Sequence, residues 1–194
     1  MNLGENIFAA FDVVAKMYDN VNKLMNYCRT AADENGEFVL ATPKFLRWKS
    51  DTEPNGWYIY SFILLFQNTA DQKLANKWRN GPVYVLEINL YNPDVYTEPM
   101  VNLAKYEYTD IESWAEGCSP ANHHVFYHPL YGTFGEWIKF EQDGTNYAGE
   151  IIDKEANRFW GLRRITGVGI PLTEITRENA YEIIFGGFRS LIEK

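Results

Sequence analysis

The sequence predicts an α+β domain, with one antiparallel sheet of about six strands flanked by a long N-terminal helix and a C-terminal helix. Three observations carry that prediction. Near the start, bulky or apolar residues recur at alternating spacings of four and three: Ile7, Phe11, Val14, Tyr18, Val21, Met25 and Cys28. That is the seam of one amphipathic helix. The middle of the chain holds short apolar or alternating runs bounded by turn residues, with no strand–helix alternation and no fixed-period repeat. A second helical stripe, Ala180, Ile184, Phe188 and Leu191, follows them. A length of 194 residues suits a single domain. Its parts are a helix over 1–35, a sheet over 37–167 with a long loop at 110–135, and a helix over 173–194.

Each element has a local reason. Asn2 can cap the first helix, and Glu5 stands where a capping box needs it. Gly36 ends the helical region. A helix over residues 3–32 would be about 45 Å long at ~1.5 Å per residue. That exceeds the width of a small domain, so the helix must break or project toward a partner. Residues 37–41 and 45–49 are short strand candidates separated by Pro43. Residues 56–67 form an almost wholly apolar run, read as a central strand covered on both faces. Residues 70–79 suggest a short helix with Leu74, Ala75 and Trp78 on one side.

After Gly81-Pro82, Tyr84, Leu86, Ile88 and Leu90 alternate with Val83, Val85, Glu87 and Asn89, a strand with one clear inner face. Residues 100–109 form another strand, with Lys105 and Glu107 expected outward. Strands over 136–141 and 147–152 flank Gln142-Asp143-Gly144, a hairpin turn, and a last strand covers 158–166. Thr176 can cap the final helix, and Gly186-Gly187 inside it implies close packing or a bend. This order is similar, as an analogy of element order alone, to small sensor and ligand-binding modules of the PAS or GAF kind.

Composition narrows the classes of function. The net charge of -8, with no Lys/Arg-rich run, argues against a nucleic-acid or membrane-surface binder. No signal-peptide pattern opens the chain, and the longest apolar run is far short of a membrane span. The expectation is a cytoplasmic protein. Cys28 and Cys118 are the only cysteines, so no disulfide framework is implied, although one bond between them is allowed. Thirteen Tyr, twelve Phe and six Trp exceed what a small core usually needs, so some rings are expected at a groove or interface.

The loop at 110–135 holds all three histidines. His124 and His128 stand four apart, a spacing that on a helix could share a metal, with Cys118 or Asp110 as a third ligand. Pro120 and Pro129 flank the segment, and the Glu of a metalloprotease helix is missing. The simpler alternative is a packed aromatic loop. The same loop offers His123, His124 and Glu116 as candidate catalytic groups for acid–base chemistry. No nucleophile elbow accompanies them. Tyr106, Tyr108, Tyr127, His128, Trp137, Trp160 and Arg163 are the candidates for lining an aromatic ligand pocket. The alternative for any one ring is ordinary core packing. Arg163 and Arg164 are adjacent on one strand, so one is expected inward and paired with Glu150.

The leading expectation is a non-enzymatic module that binds a small molecule or protein through this pocket. It would self-associate as a homodimer through Ile7, Phe11, Val14, Tyr18, Val21 and Met25. Two alternatives are a small metal-dependent or hydrolytic enzyme using the histidine loop, and an acidic inhibitor or immunity-type protein that engages a basic partner. No cofactor is named by any motif.

Overall fold

The computed structural model describes residues 2–47, 49, 51–52, 54–115, 138–152 and 159–193. Helix α1 spans Leu3–Asn35, 33 residues and about 50 Å long. Both halves of the capping box form: the Asn2 Oδ1 accepts from the Glu5 N–H, and the Glu5 carboxylate accepts from the Asn2 N–H, each at 2.9 Å. Gly36 takes the left-handed conformation (φ 69°), and its N–H donates to the Ala32 carbonyl.

Eight strands follow: β1 (Phe38–Leu40), β2 (Leu46–Arg47), β3 (Ser61–Asn68), β4 (Val83–Asn89), β5 (Met100–Tyr108), β6 (Ile138–Asp143), β7 (Asn146–Ile151) and β8 (Leu162–Pro171). They make one antiparallel sheet in the order β1-β3-β4-β5-β8-β7-β6, with β2 also paired to β3. The count exceeds about six because a strand forms in each of the eight segments read from the sequence, β1 and β2 staying separate across the bends at 41–44 around Pro43. β3 and β4 are central and buried along nearly their whole length.

Both faces of the sheet are covered. One packs Phe62, Leu64, Phe66, Leu86, Val101 and Leu103 against α1 residues Val21, Met25 and Cys28 and against Ile184, Phe185, Phe188 and Leu191. The other packs Ile63, Leu65, Val83, Val85, Tyr106 and Ile165 against loop residues Trp78 and Trp114 and against Phe159. Both helices therefore sit on one face, as expected for this class.

Two local expectations fail for identifiable reasons. Residues 70–79 are not helical. The Gln67 side chain accepts from the Arg79 N–H and donates to the Arg79 carbonyl, and the Arg79 guanidinium donates to the carbonyls of Thr69 and Asp71. These bonds close a loop that overrides local propensity and buries Trp78. Lys105 is not outward. It is buried beside Tyr84 of β4 and Thr166 of β8 in the ladder, with its ammonium 3.8 Å from Glu107.

The C-terminal helix opens where Thr176 was expected to cap it: the Thr176 carbonyl accepts the Ala180 N–H at 3.0 Å, residues 180–181 are α-helical, and a π-helical stretch, Glu182–Gly186, runs into α2 (Gly187–Ile192). A side chain at Gly187 would collide with Leu103 of β5, so the glycine permits the close approach that the paired glycines implied.

Candidate functional site

Helix α1 is docked over only part of its length. From residue 17 onward it lies against the sheet. Tyr18 stacks edge-on to Phe62 at 5.8 Å, and its hydroxyl accepts the Ile59 N–H at 2.9 Å. Val21, Met25, Cys28, Ala31 and Ala32 are buried. Residues 2–16 are all exposed. The helix is longer than the sheet face that receives it, so the apolar pattern runs on past the edge of the fold. Of the expected self-association seam, Val21 and Met25 are taken up by the chain's own core. Ile7, Phe11, Val14 and part of Tyr18 remain available. Asp12–Lys16 and Asp19–Lys23 ion pairs decorate the opposite, polar side.

Beside the docked half lies an apolar cleft of about 730 Å³. Met17, Asn20, Val21, Leu24 and Tyr27 of α1 form one wall, and Leu172, Ile175, Thr176 and Ala180 form the other, with Pro99 between them. Local chemistry shapes the second wall. β8 ends at Pro171, and the Leu172 N–H donates to the Pro99 carbonyl at 2.9 Å. Asn179 then braces the turn, accepting from the Thr176 N–H at 2.7 Å and donating to the Glu174 carbonyl at 2.9 Å. Among the described residues, the charged side chains on the lining are Lys23 and Arg177. A smaller hollow of about 170 Å³ sits on the other flank of α1, between Tyr18, Phe45, Ile59 and Phe62.

The predicted aromatic pocket is divided. Tyr106 is fully buried in the core. Tyr108 and Trp160 are half-buried and join Trp114 in a ring cluster, with centroids at 4.6 and 6.0 Å from Trp114. The Trp114 indole N–H donates to the Trp160 carbonyl. Trp114 and Trp160 border a hollow of about 340 Å³, and Tyr108 and Arg163 border a polar one of about 650 Å³ with Glu107, Glu150 and Arg164.

The expected inward arginine is a correction: both Arg163 and Arg164 are exposed. Glu150 faces Arg164 in the β7–β8 register, and the β5–β8 ladder is irregular at Glu107/Tyr108, next to that pair. Glu116, His123, His124, Tyr127, His128, Trp137 and Cys118 lie outside the described residues. Among the described residues, no group of three or more His, Cys, Asp or Glu could hold a metal.

One polar cluster has no counterpart among the sequence expectations. Glu87 is wholly buried on β4. Its carboxyl accepts from Ser61 Oγ (2.7 Å), Asn102 Nδ2 (2.8 Å) and Asn89 Nδ2 (3.3 Å), and the Tyr96 hydroxyl lies 3.1 Å from Asn102 Nδ2. Burial raises its pKa above the ordinary value, and the three hydrogen bonds oppose that rise. The same burial drives the Tyr96 hydroxyl up to about 12. The Tyr147 hydroxyl is also out of solvent, with no hydrogen-bond partner among the described residues. The readable signal was a Glu within a strand flanked on both sides by strands, where neither face meets water. Closed from solvent by its own donors, Glu87 is an internal polar clamp joining β3, β4 and β5.

No protein-family model matches the chain, nor does any curated protein or solved structure. No helix among the described residues is long and apolar enough to cross a membrane.

Proposed function

We propose that this protein is a non-enzymatic, self-associating binding module whose working surface is helix α1 together with the apolar cleft beside it. One observation carries the reading: α1 leaves the fold with its apolar seam intact and exposed, at the mouth of a cleft that is itself apolar. Monomeric soluble proteins rarely present contiguous apolar patches of this extent without a partner. The overall charge of -8 suits association with protein better than with nucleic acid.

Sedimentation equilibrium tests the reading. The full chain is expected to form a dimer in the micromolar range. The triple variant Ile7→Ser, Phe11→Ser, Val14→Ser is expected to be monomeric, with an unchanged near-ultraviolet dichroism signal. A wild-type chain that stays monomeric at several hundred micromolar refutes it.

A second reading, binding of a small planar molecule, rests on the ring cluster of Tyr108, Trp114 and Trp160 next to Arg163 and the hollows at that end. Native mass spectrometry of freshly purified protein checks it. A retained small molecule that is lost in Trp160→Ala supports this reading, and protein at its bare sequence mass counts against it.

A further inference from the structure

We infer that the apolar cleft of each copy receives residues 3–14 of a second copy, so that two chains exchange the projecting halves of α1 reciprocally and antiparallel. This rests on the self-association reading above and states what fills the cleft.

Four features of the chain support it. The first is length. The α1 wall of the cleft runs from Met17 to Tyr27, about 16 Å of helix, and residues 3–14 span about 18 Å at ~1.5 Å per residue. A two-fold axis near residues 15–16 lays one stretch along the other, with position i beside position 30 or 31 minus i of the partner. Both patches are then used twice, as an isologous interface requires.

The second is continuity. At about 100° per residue, Leu3, Ala10, Val13 and Val14 fall on the same side of the helix as Met17, Val21 and Leu24. The seam that leaves the fold is thus the prolongation of the one that lines the cleft.

The third is area. Leu3, Ile7, Phe11, Val13 and Val14 are between 42% and 76% exposed. At ~200 Å² for a large apolar residue this is on the order of 600 Å², the lower end of what one partner contributes to a standard interface.

The fourth is reciprocity. A parallel pairing of α1 with α1 would leave both clefts open, whereas the antiparallel exchange fills both.

Cysteine cross-linking in the full chain tests the arrangement, in a Cys118→Ser background with Cys28 left buried. Ala10 and Asn20 are both exposed, so Ala10→Cys and Asn20→Cys should fold as the parent does. In the antiparallel exchange, position 10 of one copy lies beside position 20 of the other. Like positions are held about 15 Å apart along the axis, ten residues at ~1.5 Å.

Mixing the two single variants under mild oxidation is therefore expected to give a mixed disulfide dimer as the main product, at least tenfold above the cross-linking of either variant alone. Strong cross-linking of Ala10→Cys with itself indicates a parallel pair and overturns the inference. A chain that sediments as a dimer yet yields no mixed cross-link overturns the exchange while leaving self-association intact. A monomer by sedimentation removes both together.

Discussion

The half-docked state of α1 can be tested by truncating one residue on each side of the boundary. Met25 is buried between the helix and the sheet. Met25→Ala removes that side chain from a packed interior and should cost roughly 2–5 kcal/mol. For a domain of this size that corresponds to a melting temperature lower by roughly 4–20 °C, at about 2–4 °C per kcal/mol. Phe11 is on the same seam but 73% exposed. In an isolated chain Phe11→Ala should move stability by no more than about 0.5 kcal/mol. Its sign should be slightly favourable, because Ala is the better helix former.

The assay is urea unfolding followed by far-ultraviolet dichroism and tryptophan fluorescence. It should be run at sub-micromolar protein, where self-association is diluted out, and again at about a hundredfold higher concentration. Under dilution only Met25→Ala should be costly. At high concentration Phe11→Ala should become destabilising as well, because association stabilises the folded chain by mass action. A cost below about 1 kcal/mol for Met25→Ala would refute docking of the C-terminal half. A cost above about 2 kcal/mol for Phe11→Ala at high dilution would refute projection of the N-terminal half.

Other consequences follow from the interior. The folded chain holds the Glu87 proton more tightly than the unfolded chain does. Stability conferred at this site therefore falls as pH climbs from the ordinary glutamate value of 4.5 through the raised folded value. The difference in unfolding free energy between wild type and Glu87→Gln, measured by urea titration across that range, should slope against the wild type with rising pH; a flat difference would refute the assignment.

Tyr147→Phe removes a buried hydroxyl that has no partner among the described residues, so calorimetry should find it neutral or stabilising by about 1 kcal/mol, and a clear loss would count against the assignment. Burial pushes the Cys28 thiol up to about 12. In Cys118→Ser, a thiol-specific disulfide reagent at pH 8 should leave the native chain unlabelled and titrate one thiol after unfolding in guanidinium; rapid native labelling would contradict the burial.

Much of this architecture was legible in the residues. Asn2, Glu5 and Gly36 specify the ends of α1 through hydrogen bonds that reach only a few positions along the chain. The apolar run ending near residue 67 could hardly be anything but a covered strand. The hairpin at Gly144 follows from a glycine that accepts φ 58° at little cost. The seam of α1 was equally plain, and its length already implied that one end must leave the domain.

Which end leaves, and what lies beside it, was not legible. Residue spacing is local, whereas the cleft is made by bringing positions 17–27 against positions 172–180. Lys105, Glu87 and the 70–79 loop misled for the same reason. A lysine two positions from Glu107 that alternates with Tyr106 and Tyr108 looks outward, and a glutamate in a half-polar strand looks outward, until the neighbouring strands arrive on both sides. Periodicity along the chain therefore specified the helices, the strands and the excess of apolar surface. Long-range pairing alone decided where that surface is hidden and where it stays open, because burial depends on what the fold brings alongside each residue from elsewhere in the chain.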